Sequence, residues 1–144
     1  MTLLLDEPNA KIILEEKLQY IEVKLIGDVS YEAYQFAYEH ALSFIIHQNI
    51  KKLLINEVGS ATESKSRLWL ISVFLPRLLS RVGLKLEVVI IRSGNRKLSI
   101  SHKIVDELID KLKSKFHLNV VQNEEKGRQL LIEGKRSKQE DKKS

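Results

Sequence analysis

The chain has 144 residues, room for one domain with a core of its own, and no cysteine, which excludes disulfides and thiolate-bound metal. Its formal charge is +5, but the last eleven residues, GKRSKQEDKKS, hold five bases and two acids, so the tail accounts for +3 and residues 1–133 for +2. A body of that charge, with no bases interleaved among stacking aromatics, speaks against nucleic-acid binding.

The opening MTLLLDEPNA places acids rather than bases beside its leucines, so it does not read as a signal peptide. KIILEE and QYIEVKLIGDV are the first strand signals, with Lys17-Leu18-Gln19 as a hairpin turn between them. Gly27-Asp28 ends the second strand, and Ser30 is placed to cap a helix from Tyr31 to about Gln48. Tyr34, Ala37, Tyr38, Ala41, Leu42 and Ile45 fall on one face of it. Tyr31, Phe36 and Phe44 add further aromatics, too many for one face. Some must be exposed or covered by a dimer partner, a lipid-like ligand or a membrane surface.

KKLLINEV is apolar without alternation, as a strand covered on both faces should be. After the loop GSATES, the run SRLWLISVFLPRLLSRVG holds the single tryptophan, Trp69, and Pro76. Its uncharged stretch, Leu68 to Pro76, is nine residues, well short of the ~20 that span a bilayer. The proline ring removes a backbone donor and crowds the carbonyl of Ser72, at ~3 kcal/mol for an isolated insult in a straight helix. Leu68, Ile71, Leu75, Leu78 and Val82 form one stripe across it, which favours a single kinked core helix closed by Gly83. A fresh helix with Pro76 at its first position is the alternative.

LKLEVVIIRS reads as the second central strand and GNRK as its exit loop. A helix follows from about Ser99 to Phe116, with Ile104, Val105, Leu108, Ile109 and Leu112 inward. LNVVQN is a last strand, and 124–133 a last helix ended by Gly134. The order β-β-α-β-α-β-α-β-α implies an α/β domain over residues 1–133, with a mixed sheet, a parallel core and packed helices. Residues 134–144 read as a solvated, disordered basic tail. A cytoplasmic protein without membrane insertion is expected.

The Trp69-Leu70 pair, the Leu75-Pro76-Arg77 run, Gly83 and the polar Asn56 closing the preceding strand together resemble a family of small bacterial STAS-like proteins. STAS is the fold of sulphate-transporter and anti-sigma-factor-antagonist domains. Where the family often has Trp-Leu in its final helix, this chain has Leu130-Leu131, and of a tryptophan and glycine before the first helix only Gly27 is present. The resemblance covers residues 10 to 133. It implies a regulatory, non-enzymatic module that binds a protein partner, and by its likeness to Sec14-type domains a small-molecule or lipid carrier as the alternative. In the antagonists a serine at the start of the helix after the second core strand is phosphorylated. Ser60, Thr62, Ser64 and Ser66 occupy that region here, without the usual Asp-Ser-Ser-Gly signature.

Ligands of open α/β sheets sit at the carboxyl ends of the strands, where two loops should meet, Asn56–Ser66 and Arg92–Ser99. The first is either a phosphorylatable, partner-facing helix start or a plain cap made by Thr62 or Ser64. The second, with Arg92, Asn95, Arg96 and a helix start at Ser99, suits an anion or is a solvated polar turn, and it lacks the Walker spacing. Trp69 and Arg77 complete the candidate surface. His40 and His47 are two turns apart, too far to share a metal. His102 with Asp106 and Ser99 or Ser101 reads as a solvated helix face rather than a triad. Glu15-Glu16 and Glu124-Glu125 point to different sides, poor geometry for paired acid–base chemistry. The sequence therefore names no catalytic residue, metal or cofactor, and it expects a protein partner or a homodimer.

Overall fold

Antiparallel structure precedes any helix. In the computed structural model, which describes residues 1–92 and 100–132, β1 (Thr2–Glu7), β2 (Ala10–Glu15) and β3 (Tyr20–Leu25) form a meander. The β2–β3 turn closes without Asn-Gly chemistry because Gln19 takes the left-handed conformation, φ 57°. β1 is an addition to the sequence reading. Three consecutive leucines break period-two alternation, and the strand absorbs them with a register shift between Leu3 and Leu5.

Three crossovers then build the parallel core. α1 (Tyr31–Gln48) leads to β5 (Lys52–Asn56), and the proline-bearing helix to β7 (Glu87–Ile91). α4 (Ile100–Lys113) leads to β8 (His117–Val121). The sheet order is β1-β2-β3-β5-β7-β8, with every pair from β3 onward parallel. A second, two-stranded parallel sheet joins β4 (Gly27–Val29) to β6 (Ser60–Thr62). It carries the chain beyond the ends of β3 and β5, and Gly27 supplies the turn with φ +67°.

α1 matches its expected bounds and buried face, with the Ser30 hydroxyl accepting from the Ala33 amide at 3.2 Å. The Pro76 region runs as one continuous helix: α2 (Ser64–Trp69), a π segment (Leu70–Phe74) and α3 (Leu75–Val82). The Leu75 amide donates to the Leu70 carbonyl, five residues back. Its buried residues are Ser66, Arg67, Leu70, Ile71, Phe74, Leu75 and Leu78, a step of four repeated from Ser66 to Leu78. At about 100° per residue, twelve α-helical steps would overshoot three turns by about 120°. One inserted residue cuts the overshoot to about 20° and keeps the stripe on the sheet. The same shift turns Leu68 out to 40% exposure, correcting its expected place in the core. In α4 the inward row is Val105, Ile109 and Leu112, continued by Phe116, and Ile104 is exposed.

α1, the 64–82 helix and α4 cover one face of the sheet over the main core. On the other face, Tyr20, Leu54, Val89, Ile91 and Val121 pack with Leu131 of a helix over residues 124–132. Gly127 brings that helix close: a Cβ there would lie 2.7 Å from two Ile91 carbons. The expected tail, 134–144, and most of the expected anion loop, 93–99, lie outside the described residues.

Candidate functional site

The end of β5 carries two polar residues in succession, and alternation sends them to opposite faces of the sheet. Both are buried, Asn56 at 1% and Glu57 at 2% exposure. Each organises a cluster at the carboxyl ends of the parallel strands.

On the main helical face, Glu57 Oε2 accepts from the Tyr34 hydroxyl at 2.7 Å and the Tyr38 hydroxyl at 3.1 Å. Its Oε1 lies 3.7 Å from Arg67 Nε, and Arg67 is itself buried. Burial, and after it the charge of Glu57, pushes both phenols well above the usual tyrosine value. Trp69 closes the cluster against Tyr34 at 6.3 Å, Tyr38 at 6.4 Å and Phe74 at 5.8 Å between ring centroids. A cavity of about 10 Å³ lies beside Glu57, Arg67 and Arg92, room for about one water.

On the opposite face, the Asn56 amide donates to Glu22 Oε2 at 3.1 Å and to Glu124 Oε1. Its carbonyl oxygen accepts from the Val58 amide. Arg128 forks onto Glu22 at 2.9 and 3.2 Å and donates to the Tyr20 hydroxyl. Burial alone would lower the Arg128 pKa, but the bonds to Glu22 and its charge outweigh that and raise it. This cluster fastens the 124–132 helix to the sheet.

The serine-rich loop resolves into distinct roles. Ser60 lies in β6 and donates to the Glu57 carbonyl at 2.9 Å. Thr62, also in β6, has a buried hydroxyl with no hydrogen-bond partner. The expected cap by Thr62 or Ser64 is not made. The cap position is Glu63, which makes no side-chain cap bond and instead accepts from the Tyr31 amide at 2.8 Å. Ser64 opens the helix and is exposed, whereas Ser66 is fully buried with an unpartnered hydroxyl.

Trp69 is half-buried, Arg77 pairs with Glu39 at 2.7 Å, and Arg92 pairs with Asp106 at 3.0 Å. That last pair occupies the carboxylate a triad would need. Asn95, Arg96 and Ser99 lie outside the described residues. The structure thus brings Asn56, Ser60 and Ser66 to the strand ends and leaves Arg77 away from them, on α3. Sequence reasoning missed Glu57, Tyr34, Tyr38, Arg67, Glu22 and Arg128 as a polar system. The one legible signal was the Asn-Glu step closing an otherwise apolar strand. Among the described residues no group of three or more His, Asp or Glu side chains could hold a metal, and no helix is long and apolar enough to cross a membrane.

No protein-family model and no curated protein matches the sequence. In structure the chain is similar to the anti-sigma factor antagonist SpoIIAA in its unphosphorylated form, with a TM-score of 0.46 and 13% identity over 72% of this chain and 97% of that one. It is also similar to the Bacillus cell fate determinant SpoIIAA in the phosphorylated form, with a TM-score of 0.48 and 15% identity over 80% of this chain and 94% of that one. Both are similarities of chain arrangement at low sequence identity.

Proposed function

We propose that this chain is a non-enzymatic regulatory module of the anti-sigma-factor-antagonist type, and that a protein partner docks on the solvent face of the 64–82 helix. The observation that carries the reading is the outward face of that helix. Leu68 and Val73 are 40% and 39% exposed, five residues apart, and residues 64–82 contain no carboxylate while carrying Lys65 and Arg81 at the two ends. An apolar centre with cations at its ends suits a partner that presents apolar anchors rimmed by acids.

The buried carboxylates favour binding over catalysis, because each is engaged by its neighbours. The Glu57 carboxylate is held by two phenols, with Arg67 beside it, and Glu22 is held by Arg128 and Asn56. Of Ser60, Thr62, Ser64 and Ser66, Ser64 is the exposed residue. A phosphate there would sit at the positive end of the helix beside Lys65 and change the charge of the docking face. Ser66, at zero exposure, is out of reach without opening the helix start. A lipid carrier would need open space between α1 and the 64–82 helix. The Tyr34, Tyr38, Trp69 and Phe74 rings occupy that position, with neighbouring centroids 4.8 to 6.4 Å apart.

The test compares partner capture by the tagged full chain and by its L68E/V73E variant in the cells it comes from, quantified by mass spectrometry. The proposal expects one or a few proteins to be depleted at least about tenfold on the variant, a loss of ~1.4 kcal/mol or more of binding, while its circular dichroism is unchanged. An identical captured set would refute it.

A further inference from the structure

The outer flank of α1 carries a row of rings that neither polar cluster uses. Phe36, His40, Phe44 and His47 recur at steps of four, four and three along the helix. Phe36 is 46% exposed, His40 and Phe44 are half-buried, and His47 is exposed. Phe36 and His40 stack at 4.2 Å between centroids, and His40 and Phe44 follow at 6.5 Å. The Nδ1–H of His40 donates to the Phe36 carbonyl and that of His47 to the Ser43 carbonyl, both at 2.9 Å, so each imidazole is fixed to its own helix. The opposite flank is taken: Glu39 reaches Arg77 of α3.

We propose that this flank is a two-fold interface between two copies of the chain, with the α1 helices antiparallel. The sequence of the flank is complementary to itself in that sense alone. With the axis at the level of Ala41 and Leu42, Phe36 meets His47 of the second copy and His40 meets its Phe44. A benzyl ring then faces an imidazole at all four places, the pairing already made within the helix. Charge follows the same symmetry. Exposed Glu32 in the first turn comes level with exposed Lys51 just past the last turn of the other copy. Antiparallel alignment also sets the two helix dipoles head to tail. A parallel pairing would place Phe36 on Phe36 and Glu32 on Glu32. A membrane surface is disfavoured because α1 contains no lysine or arginine with which to hold anionic headgroups. The interface uses a different flank from the docking face of the 64–82 helix and stands independently of it.

Sedimentation equilibrium of the full chain at about 100 µM tests the assembly, because a dimer of micromolar affinity is mostly formed there. The proposal expects a dimer in the wild type and a dissociation constant raised at least about tenfold in Phe36→Glu, a change at an exposed position. Geometry is tested on the wild-type flank. The chain has no cysteine, so Ser43→Cys, exposed and close to the axis, places one thiol facing its own symmetry mate. It should give a disulfide dimer under mild oxidation, and Ser80→Cys on α3 should not. A monomeric wild type at that concentration, a dimer indifferent to Phe36→Glu, or equal cross-linking of the two thiols would overturn the proposal. So would flotation of monomeric wild type, and not of Phe36→Glu, with vesicles of phosphatidylcholine and phosphatidylglycerol.

Discussion

Tyr34→Phe deletes one oxygen from the Glu57 cluster and leaves the ring in place, which makes it the cleanest probe of that cluster. The hydroxyl donates the shorter of the two phenol bonds to Glu57 Oε2, 2.7 against 3.1 Å. Hydrogen bonds to charged groups contribute about 1.5–3 kcal/mol. Glu57 is 2% exposed, so bulk water does not replace the lost donor, and the cost should fall near the middle, about 2 kcal/mol. Tyr38→Phe, losing the longer bond, should cost about 1.5 kcal/mol, the low end of that range. In urea, with a slope of about 2 kcal/mol/M, the first variant moves the midpoint down by about 1 M and the second by about 0.75 M. The double variant should cost more than the sum, because the carboxylate then loses both phenol donors in a buried site. Losses under about 0.5 kcal/mol for both single variants would refute the view of Glu57 as a buried carboxylate held by the two phenols.

The same phenols set a pH dependence: their folded pKa lies above the unfolded value, so their contribution is complete below about pH 10 and fades as pH rises from there toward the folded value. Urea midpoints at pH 9 to 11.5 should therefore fall more steeply for wild type than for the double phenylalanine variant, and parallel curves would contradict this.

Gly127→Ala should destabilise by about 1 kcal/mol, because its Cβ meets buried Ile91 at 2.7 Å, an overpacking of about 1–3 kcal/mol that exceeds the ~1 kcal/mol helix-propensity gain. Thermal melts that rise instead would show that the helix shifts without cost. Arg128→Met should cost about 2 kcal/mol, less than a fully buried pair because Arg128 is 34% exposed, and should speed amide exchange in 124–132 ahead of the rest of the chain. Uniform exchange would refute the fastening role. Pro76→Ala should change stability by less than about 1 kcal/mol, since the regained bond offsets the lost restriction of the unfolded chain. A gain near 3 kcal/mol in chemical denaturation would mean that the π segment does not relieve the proline.

Much of the architecture was readable because it rests on local patterns. Ser30 with its three-and-four periodicity set α1, and the apolar runs of β5 and β7 announced strands covered on both faces. The π segment was not readable, since an α-period stripe through Leu68 looked as good as the true one. Only the four-residue step from Ser66 to Leu78 distinguishes them, and its first member, Ser66, is polar. The candidate site was less legible for a related reason. Tyr34 and Tyr38 announced themselves as core, and nothing local says that Glu57, twenty-three and nineteen residues later, will lie against them. Likewise Arg128 and Glu22 are 106 residues apart, a separation no motif spans. Buried polar partners are chosen by the sheet order, which local patterns do not encode.

The small β4–β6 sheet has a consequence for how force moves through the molecule. It splices the run-ins of two successive crossovers, and the Glu63 side chain then grips the first amide of α1. Ser30 and Glu63, the doorposts of two helices, are thereby yoked. A load applied at Ser64 or Lys65 reaches Tyr31 through three peptide pairs and one carboxylate rather than through the hydrophobic interior. The two helices should therefore loosen together at their amino ends, while their far ends stay still.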